Sequence, residues 1–285
     1  MPVSASPALV QTSRVEPLAD AHRGEALAFL AERPLHTVIM AGLLRQHGPA
    51  VPAPAGDFYA CRDAEGRLEG LALVGRATMF EARHARAVAA LAERARRCAS
   101  VRMIMGEADG LHHFLERYAA GVQPPRLSCR QFFYGFSRPS GDEAAADLRQ
   151  AAPADLEQIV AAHARMCLEE TGVDPLAEDP EGFRRRCASR VERGKVWTLI
   201  ERGELIFKAE VLTETPAATY VEGVWVSPAH RFKGHGRRCW AALSRALLER
   251  APTFCGFVNA KNAAALNFYE GVGGIAFGAY DKVYL

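Results

Sequence analysis

The stretch "TYVEGVWVSPAHRFKGHGRR", residues 219–238, places a β-type run, a basic turn with two glycines and the start of a helix directly after one another. Residues 220–226 are rich in the β-branched and aromatic side chains that favour strands. Pro228 predicts the end of that strand, because proline lacks the N–H that a β-ladder needs. Residues 236–250 then repeat apolar side chains at the spacing of an amphipathic helix. The stretch therefore predicts a strand, a turn and a helix in immediate succession.

The turn has the composition of a phosphate site. A helix start presents unpaired N–H groups and a partial positive charge, which together bind phosphate. Gly234 and Gly236 lack a Cβ, so a diphosphate can approach their backbone closely. Lys233, Arg237 and Arg238 can add charge-assisted hydrogen bonds to phosphate oxygens. A solvated, capped helix start would look similar, and these residues alone leave both interpretations open.

Two better-known phosphate loops are excluded by the spacing. The Walker A pattern G-x-x-x-x-G-K-[ST] does not occur in the sequence. The dinucleotide fingerprint needs a third Gly or Ala where this chain has Cys239, and no acidic residue stands in the strand expected about twenty positions later. The turn therefore belongs to neither class.

Outward from this stretch, a similar order of predicted elements occurs twice. After residue 147 we predict two helices, a hairpin turning at Arg202-Gly203, a strand, a helix, a strand, a short helix and a last strand. Before residue 137 we predict two helices, a hairpin, a helix, a strand and a helix. Residues 137–146, "SRPSGDEAAA", lack apolar periodicity and indicate a boundary between domains 1–140 and 147–285. The predicted fold class is α/β in the α+β sense, with a duplicated unit.

Composition narrows the class of protein further. The chain has 285 residues, 49% of them hydrophobic, and a formal net charge of +2, which gives no overall electrostatic argument for nucleic acid. Three successive arginines at 184–186 are interpreted as a solvated helix face rather than an RNA site. No run of 18 apolar residues occurs, and residues 1–17 lack the basic start and apolar core of a signal peptide. We therefore expect no membrane partner, and nucleic acid is not favoured.

The cysteines and histidines give no metal signature. Seven cysteines are an odd number, widely scattered and without a C-x-x-C pair, which favours reduced thiols in the cytoplasm over a disulfide framework or a zinc site. The pair His112-His113 shows no cysteine or carboxylate at ligand spacing in this interpretation, so no metal is expected. Cys239 falls at an apolar helical position and is interpreted as a core residue rather than a nucleophile.

A second polar feature follows the next predicted strand, in "VNAKNAAALNFYEG", residues 258–271. Asn262 lies seven positions before Tyr269, about two helical turns, so both are predicted to project from nearly one face. On that face they would form a polar wall near the phosphate turn. The alternative is a helix N-cap and a half-buried aromatic residue.

These features together resemble the GNAT N-acetyltransferases. Arg231-x-x-Gly234-x-Gly236 resembles the acyl-CoA-binding R/Q-x-x-G-x-G/A loop of that family, and "VEGVWVSPAHR" resembles the strand that precedes the loop. "NAAALNFYEGVGG" resembles the later N-x-x-A-x-x-x-Y-E-x-x-G-F segment, with Gly274 where the family usually has Phe. The resemblance covers residues 147–285. Through "RPLHTVIMAGLL" and "LIFKAEV", the whole chain resembles two-domain bacterial members whose N-terminal half is a degenerate copy of the fold.

The resemblance implies tandem GNAT-like domains, each a mixed, mostly antiparallel sheet flanked by helices. In the C-terminal domain two neighbouring strands would splay apart, and the pantetheine arm of acyl-CoA would lie between them, bonded like an added strand. Trp225 would line the arm or pack in the core. The residues implied in binding acyl-CoA are Val224, Trp225, Val226, Arg231, Phe232, Lys233, Gly234, His235, Gly236, Arg237 and Asn262.

Catalytic roles follow from what acyl transfer to an amine needs. An amine has a pKa of about 10.4, so a base must take its proton. Glu222 is the candidate, since Glu is disfavoured mid-strand; a cross-strand salt bridge is the alternative, with Tyr220 or water as the other bases. Tyr269 is the candidate acid for the departing thiolate, and a backbone N–H of residues 224–226 is the candidate oxyanion donor. Lys208 and Glu210 are predicted to lie on the same face of one strand. Two charges in an apolar strand indicate either the wall of a pocket or an ion pair between the two, and both interpretations stay open.

We therefore interpret the sequence as a cytoplasmic acyl-CoA-dependent N-acetyltransferase with a catalytic domain at 147–285 and a degenerate GNAT-like domain at 1–140. Acetyl-CoA is the expected acyl donor, and the acceptor is expected to be a small-molecule or peptide amine. Direct transfer is favoured over a covalent intermediate, since no activated nucleophile is evident. Two alternatives are a non-catalytic acyl-CoA-binding regulator and a tandem GNAT-fold aminoacyl-transferase. The acceptor, the acyl length and the oligomeric state, a homodimer included, stay open.

Overall fold

A computed structural model of the protein describes residues 13–51, 56–119, 125–141 and 147–285. Contacts divide the chain into two units. The described residues of Met1–Glu32, Leu43–Ser128 and Tyr280–Leu285 form the first unit, and those of Arg33–Gly42 and Cys129–Ala279 form the second.

The first six strands and four helices come from the N-terminal part of the chain. The strands are β1 (Arg14–Pro17), β2 (Ala50–Val51), β3 (Gly56–Arg62), β4 (Leu68–Val74), β5 (Ala77–Ala82) and β6 (Met103–Glu107). The helices are α1 (Arg23–Ala31), α2 (Val38–His47), α3 (Ala85–Arg96) and α4 (Ala108–Tyr118).

The C-terminal part supplies the remaining elements. Its strands are β7 (Leu127–Phe136), β8 (Arg149–Gln150), β9 (Val196–Glu201), β10 (Glu204–Glu214), β11 (Thr219–Val226), β12 (Phe254–Asn259) and β13 (Ile275–Tyr284). Its helices are α5 (Leu156–Thr171), α6 (Pro175–Glu178), α7 (Pro180–Glu192), α8 (His235–Leu248) and α9 (Ala263–Gly271).

In the first unit the strands follow the order β1-β3-β4-β5-β6, antiparallel except that β5 and β6 are parallel. Helix α3 connects that parallel pair, which is the connection that parallel strands require. Its buried face, with Leu91, packs with Phe114 of α4 and Ile104 of β6 in one core cluster. These apolar residues recur at the helical and strand periods that the sequence shows.

In the second unit the order is β7-β12-β11-β10-β9-β8, again antiparallel except for one parallel pair, β11 and β12. Helix α8 connects this pair and buries Trp240 and Leu243 in the core, as the opening stretch predicts. The β9–β10 hairpin turns at Arg202 (φ 52°) and Gly203 (φ 81°), which confirms the predicted turn.

The predicted fold class is confirmed, and the predicted elements occur in the predicted order, but β1 and β7 are not among the predicted elements and the first predicted hairpin consists of three strands, β3, β4 and β5. The two units also divide the chain differently from the predicted boundary. Strand β7 precedes residues 137–146 and yet pairs with β12, from Phe136↔Phe254 to Gln131↔Asn259. At the other end, Tyr280–Tyr284 of β13 pairs with β6. Each unit therefore includes residues from the other side of the predicted domain boundary, because backbone pairing rather than local composition decides to which unit a strand belongs. Residues 142–146 of the predicted boundary lie outside the described residues, as do residues 1–12 of the N-terminal stretch.

Three smaller expectations can be compared with the structure. Residues 184–186 are exposed on α7, which confirms the interpretation as a solvated helix face. His112 and His113 both lie near the Glu116 carboxylate, at 3.5 and 3.4 Å, so the expectation of no carboxylate at their spacing is wrong. Both rings are largely exposed, and no group of three or more potential metal ligands occurs among the described residues.

All seven cysteines are free thiols. Within the described ranges, no helix has the length and apolar character needed to cross a membrane.

Candidate functional site

The turn between β11 and α8 exposes an uninterrupted run of backbone donors. Gly234 is the N-cap of α8 with φ +84°, a conformation that favours glycine, and no atom lies within 4 Å of where its Cβ would be. The first helical bond runs from Arg238 N–H to the Gly234 carbonyl. In the part of the chain that the structure describes, none of the N–H groups of residues 232–237 has a hydrogen-bond acceptor. Six successive donors at a helix start form an anion site.

Basic side chains surround these donors. Lys233, Arg237 and Arg238 are exposed, and Arg237 donates to the Gly271 carbonyl at 3.1 Å, which ties the start of α8 to the end of α9. A cleft of about 1310 Å³ opens beside them and is also bordered by Arg138. Its remaining lining comes from backbone-rich segments: 137–141 and 271–273, with Gly234 and Ile275. The cleft is therefore suited to a large, multiply charged anion.

The rest of the turn is shaped by its neighbours. Arg231 donates from Nε to the Val226 carbonyl at 3.2 Å, which holds the turn against the end of β11. Phe232 has φ +62° and a fully exposed side chain. His235 is half-buried and lies 3.9 Å from the Glu201 carboxylate. A Cβ at Gly236 would lie 3.4 Å from Val226 and 3.5 Å from Phe268, so this glycine packs at the junction of β11, α8 and α9.

The parallel strands β11 and β12 separate beside this turn. Thr219↔Phe254 and Tyr220↔Cys255 are paired, while β11 continues to Val226 and β12 to Asn259 without a further pair between them in the described structure. The predicted splay is therefore present. Just beyond the last pair, a Cβ at Gly256 would lie 2.8 Å from the Val221 carbonyl oxygen, so only glycine fits there.

Tyr269 places its hydroxyl at the same point. That oxygen lies 3.8 Å from the position of a Cβ at Gly256. The ring is buried by Trp240, with ring centroids 5.1 Å apart, and by Phe136 at 5.5 Å. Burial raises the pKa of Tyr269 well above its ordinary value. Within the described ranges the hydroxyl makes no hydrogen bond, so a protonated phenol lies beside the splay with its donor available.

A β-bulge interrupts β11 at Gly223. Lys208↔Trp225 and Glu210↔Glu222 are paired across β10 and β11, which leaves two residues of β11 opposite one of β10. Gly223 takes φ +61° there. The extra residue reverses the alternation of faces, so that Val224 and Val226 pack on the core while Trp225 lies opposite Lys208. Packing in the core, one of the two interpretations of Trp225, is therefore found for Val224 and Val226 and not for Trp225.

Five charged or titratable side chains, which we call the charge cluster, meet on the face that carries Trp225. They are Lys208, Glu210, His163, Arg190 and Glu222. Lys208 Nζ lies 2.6 Å from Glu210 Oε1, and both side chains are almost fully buried. Of the two interpretations of this pair, the mutual ion pair is therefore present. Glu210 also accepts a hydrogen bond from His163, at 2.7 Å, and from Arg190.

Glu222 belongs to the rim of the charge cluster. Its carboxylate lies 3.2 Å from Arg190 of α7, so its salt-bridge partner comes from a helix and not from a neighbouring strand. About a third of its side chain is exposed (31%), which leaves the carboxylate reachable. Although burial alone would raise the pKa of Glu210, the ammonium of Lys208 and the hydrogen bond from His163 hold it well below its ordinary value. Glu210 therefore stays charged and Glu222 is the accessible member.

The structure argues against two other groups in catalysis. Burial, with the nearby charge of Glu222, raises the pKa of Tyr220 well above its ordinary value, so at neutral pH Tyr220 is a protonated phenol and a poor base. Cys239 is fully buried in the core, and burial raises the pKa of its thiol to about 12. The interpretation of Cys239 as a core residue is confirmed.

Asn262 is not on the predicted polar wall. It is the N-cap of α9, where its Oδ1 accepts the Ala265 N–H at 3.0 Å, and its side chain is exposed while Tyr269 is buried. The prediction of one shared polar face is wrong, because a residue at the N-cap stands outside the helical rotation that relates residues seven apart. The alternative interpretation, a helix cap, is the arrangement present.

Sequence reasoning missed four residues of the site: His163, Arg190, Gly223 and Gly256. A glycine inside a strand signals a bulge or a close backbone approach, so Gly223 and Gly256 carried a readable signal. His163 and Arg190 carried none, since a histidine and an arginine on amphipathic helices are ordinary surface residues until packing is known.

Part of the chain matches a known protein family, and the whole chain is similar in fold to solved structures. The family model described as "Acetyltransferase (GNAT) family" matches residues 161–273. No curated protein sequence matches the chain. A Drosophila protein structure is similar at a TM-score of 0.70 and 15% identity, over 96% of this chain and 99% of that one.

Two further solved structures are similar over nearly the whole chain. A tandem GNAT protein from the clavulanic acid biosynthesis pathway has a TM-score of 0.60 at 15% identity, covering 96% of this chain and 98% of that one. A GCN5-related N-acetyltransferase from Sphaerobacter thermophilus has a TM-score of 0.59 at 13% identity, covering 97% and 96%. At these identities the likeness shows the fold, which is the tandem arrangement that the sequence predicts.

Proposed function

We propose that the protein transfers acetyl from acetyl-CoA to a primary amine, starting from the match of residues 161–273 to the model of the acetyltransferase (GNAT) family. The observation that carries the proposal is the run of six unpaired N–H groups at residues 232–237, beside strands that separate at Tyr220↔Cys255. An anion site next to an open strand edge suits a ligand with a diphosphate at one end and an amide-containing arm at the other.

The binding residues divide by the part of acyl-CoA that they suit. The donors at residues 232–237, with the side chains of Lys233 and Arg237, suit the diphosphate. Val224 and Val226 lie on the part of β11 that pairs with β10 but no longer with β12. Their backbone groups on the β12 side can pair with pantetheine amides as an added strand would. Asn262 stands at the start of α9, where it can contact pantetheine only from its capping position.

The proposed reaction is direct attack. The amine nitrogen forms a bond to the thioester carbonyl carbon, the carbonyl oxygen becomes an oxyanion, and the carbon–sulfur bond then breaks. The ammonium first loses one proton to give the neutral amine, and after the attack the nitrogen loses a second; the thiolate takes one proton from an acid, so thiol, amide and one net proton are released. These proton transfers need groups in the appropriate protonation state at neutral pH.

Tyr269 is proposed as the acid. It stays protonated at neutral pH because burial raises its pKa, and its hydroxyl faces the gap between the strands beside Gly256. A thiolate leaving from an arm held in that gap would be within reach of this donor.

Glu222 is proposed as the base, directly or through a water molecule. Arg190 keeps its carboxylate in place at 3.2 Å, and the exposed third of the side chain is open to an amine or a water. The presence of a positioned acid and an accessible carboxylate favours an enzyme over an acyl-CoA-binding regulator, which needs neither. The free thiols favour a reducing compartment, and we propose the cytoplasm.

A calorimetric titration of acetyl-CoA and CoA into the wild type and Gly234→Trp tests the proposal. Gly234 has open space around it, so tryptophan there would block the donors without displacing neighbouring side chains. Gly66→Trp in the first unit is the matched control, because Gly66 has nearly the same φ (+83°) and equally open surroundings. We expect binding in the wild type and in Gly66→Trp and its loss in Gly234→Trp. A wild type that binds neither ligand would overturn the proposal.

A further inference from the structure

The ammonium of Lys208 contacts the backbone of the bulge. Lys208 Nζ donates to the Gly223 carbonyl at 3.0 Å while pairing with Glu210 at 2.6 Å, and the Lys208 side chain has no exposed surface. A Cβ at Gly223 would lie 3.0 Å from Nζ and 3.4 Å from Glu210 Oε1. The bulge glycine is therefore required both by its positive φ and by the side chain packed on it.

The orientation of this carbonyl fixes the next N–H. The peptide unit between Gly223 and Val224 is planar, and in the trans form its C=O and N–H point to opposite sides. The carbonyl accepts from the Lys208 side chain, which comes from β10, and directly after β11 the Ser227 N–H bonds to the Ile206 carbonyl of β10. Alternate residues of an antiparallel strand turn their backbone groups to the same neighbour, so Trp225 and Ser227 face β10 and the Val224 N–H points away from it. In the strand order β12-β11-β10 that is the side of β12, where pairing has already ended after Tyr220↔Cys255.

We infer that Lys208 is a positioning residue for acyl transfer: by holding the Gly223 carbonyl, it aims the Val224 N–H into the gap between β11 and β12, at the thioester oxygen. This inference rests on the proposed function and adds a residue to it. A backbone donor that is already oriented before the reaction stabilises the developing oxyanion without reorganisation.

The burial of Lys208 needs such an explanation. A fully buried ion pair gains little net stability, since the desolvation of both charges offsets their attraction. A leucine or methionine on β10 would fill the same space, but it would have no donor for the Gly223 carbonyl. Without that donor the bulge peptide would be free to turn, and its N–H would lose its fixed direction. The charge cluster could instead serve only to tie α5 and α7 to the sheet through His163 and Arg190, and this structural role is the one to exclude.

The test is the infrared carbonyl band of acetyl-CoA labelled with carbon-13 at the thioester carbonyl, measured free and bound. A hydrogen bond to the oxygen lowers the stretching frequency, and this readout needs no acceptor amine. We expect the band to move to lower frequency in the wild type and to lose most of that shift in Lys208→Met. The Kd for acetyl-CoA should stay within about threefold, because the ground-state contacts to the diphosphate are untouched.

Lys195→Met is the matched control, since Lys195 also pairs with a β10 glutamate, Glu214, at 3.3 Å but lies away from the bulge. It should keep the wild-type band. If Lys208→Met does not fold, the double variant Lys208→Met/Glu210→Gln removes both charges and takes its place, with the same loss of shift expected.

The outcomes separate this inference from the proposed function. A wild type that does not bind acetyl-CoA means that the proposed function fails. A wild type that binds with an unshifted band, or a Lys208 variant that binds and keeps the wild-type shift, overturns the positioning role alone. Once an acceptor amine is available, the same variant should lower kcat by about 10- to 100-fold with KM nearly unchanged.

Discussion

The two units contain the same sequence of elements around one parallel strand pair, and they differ in what surrounds that pair. In the first unit β5 and β6 are paired up to Met79↔Met105, and in the second β11 and β12 are paired up to Tyr220↔Cys255. In each unit one helix connects the two strands and another follows the second strand. The residue after the last pair is a glycine in both, Gly106 in β6 and Gly256 in β12.

At that glycine the units diverge. A Cβ at Gly106 would lie 2.8 Å from the ring of Phe80, which stacks on Phe114 with ring centroids 4.5 Å apart. At Gly256 the nearest atom to such a Cβ would be the Val221 carbonyl oxygen, at 2.8 Å, and the nearest side-chain atom would be the hydroxyl of Tyr269, at 3.8 Å. An aromatic ring thus covers the glycine in the first unit, whereas a free donor faces it in the second.

The connection to the helix differs as well. Only residues 83 and 84 separate β5 from α3, and the N–H groups of Ala87 and Val88 both bond to the His84 carbonyl. Between β11 and α8 the chain has eight residues, 227–234, and leaves its donors open. The comparison shows that both units have the strand pair beside which a ligand could bind. The length of the strand-to-helix connection, its glycines and its unbonded N–H groups distinguish the unit with the candidate site.

Exchanging one buried tyrosine in each unit for phenylalanine gives the largest expected effect. Tyr269 and Tyr118 are both buried near the end of the helix that follows the parallel pair, so Tyr118→Phe is the matched control. We expect Tyr269→Phe to lower the rate of thiol release from acetyl-CoA, in the presence of a panel of primary amines, by about 100-fold. The Kd for acetyl-CoA should be unchanged, and Tyr118→Phe should keep the wild-type rate.

The pH dependence sharpens this prediction. Since burial raises the pKa of Tyr269 above its ordinary value of about 10, its proton is retained as pH rises through neutrality and is lost only above that value. Loss of the Tyr269 proton should therefore not lower the wild-type rate below about pH 10. Any decline that the wild type does show below that pH should also be present in Tyr269→Phe. A decline in that range that Tyr269→Phe abolishes would contradict this prediction.

Removing the aromatic cover in the first unit should reduce stability without creating a second site. Phe80 is partly buried against the core of the first unit, so Phe80→Ala should lower the free energy of unfolding by about 2 kcal/mol, measured by urea denaturation. Phe80→Leu should recover most of that loss. Calorimetry should find the same number of acetyl-CoA molecules bound per chain in all three proteins, because the β5–α3 connection has no glycine turn. A second bound equivalent in Phe80→Ala would show that the ring alone closes the first unit.

The smallest expected effect is at Asn262, and it separates capping from ligand contact. Asn262→Ala should cost about 1 kcal/mol of stability through the lost cap of α9, and Asn262→Asp should keep the cap and the stability. If Asn262 also contacts pantetheine through its amide nitrogen, both variants should weaken acetyl-CoA binding. Equal binding by Asn262→Asp and the wild type would leave Asn262 with the cap alone.

Much of the fold and part of the site could be read from the sequence. Most helices and strands, the Arg202-Gly203 turn and the glycine turn before α8 were predictable, since each depends on residues close together in the chain, whereas β1 and β7 were not among the predicted strands. Tyr269 and Glu222 were candidates from a local motif and from a glutamate out of place in a strand, and their catalytic roles stay predictions. The N-cap role of Asn262 also depends on local sequence, because asparagine is favoured directly before the first turn of a helix.

The rest depended on contacts between residues far apart in sequence. Pairing of β7 with β12, and of Tyr280–Tyr284 with β6, moved both ends of the predicted domain boundary, since strand partners are chosen by the whole sheet. Arg190, 32 positions before Glu222, pairs with it from α7, and Lys208 of β10 donates to the Gly223 carbonyl of the adjacent strand β11. The sequence by itself determined the local conformations and the chemistry available. Only the tertiary structure decided which charges are buried together and which backbone donor they orient, because desolvation and hydrogen-bond geometry exist only once the chain is packed.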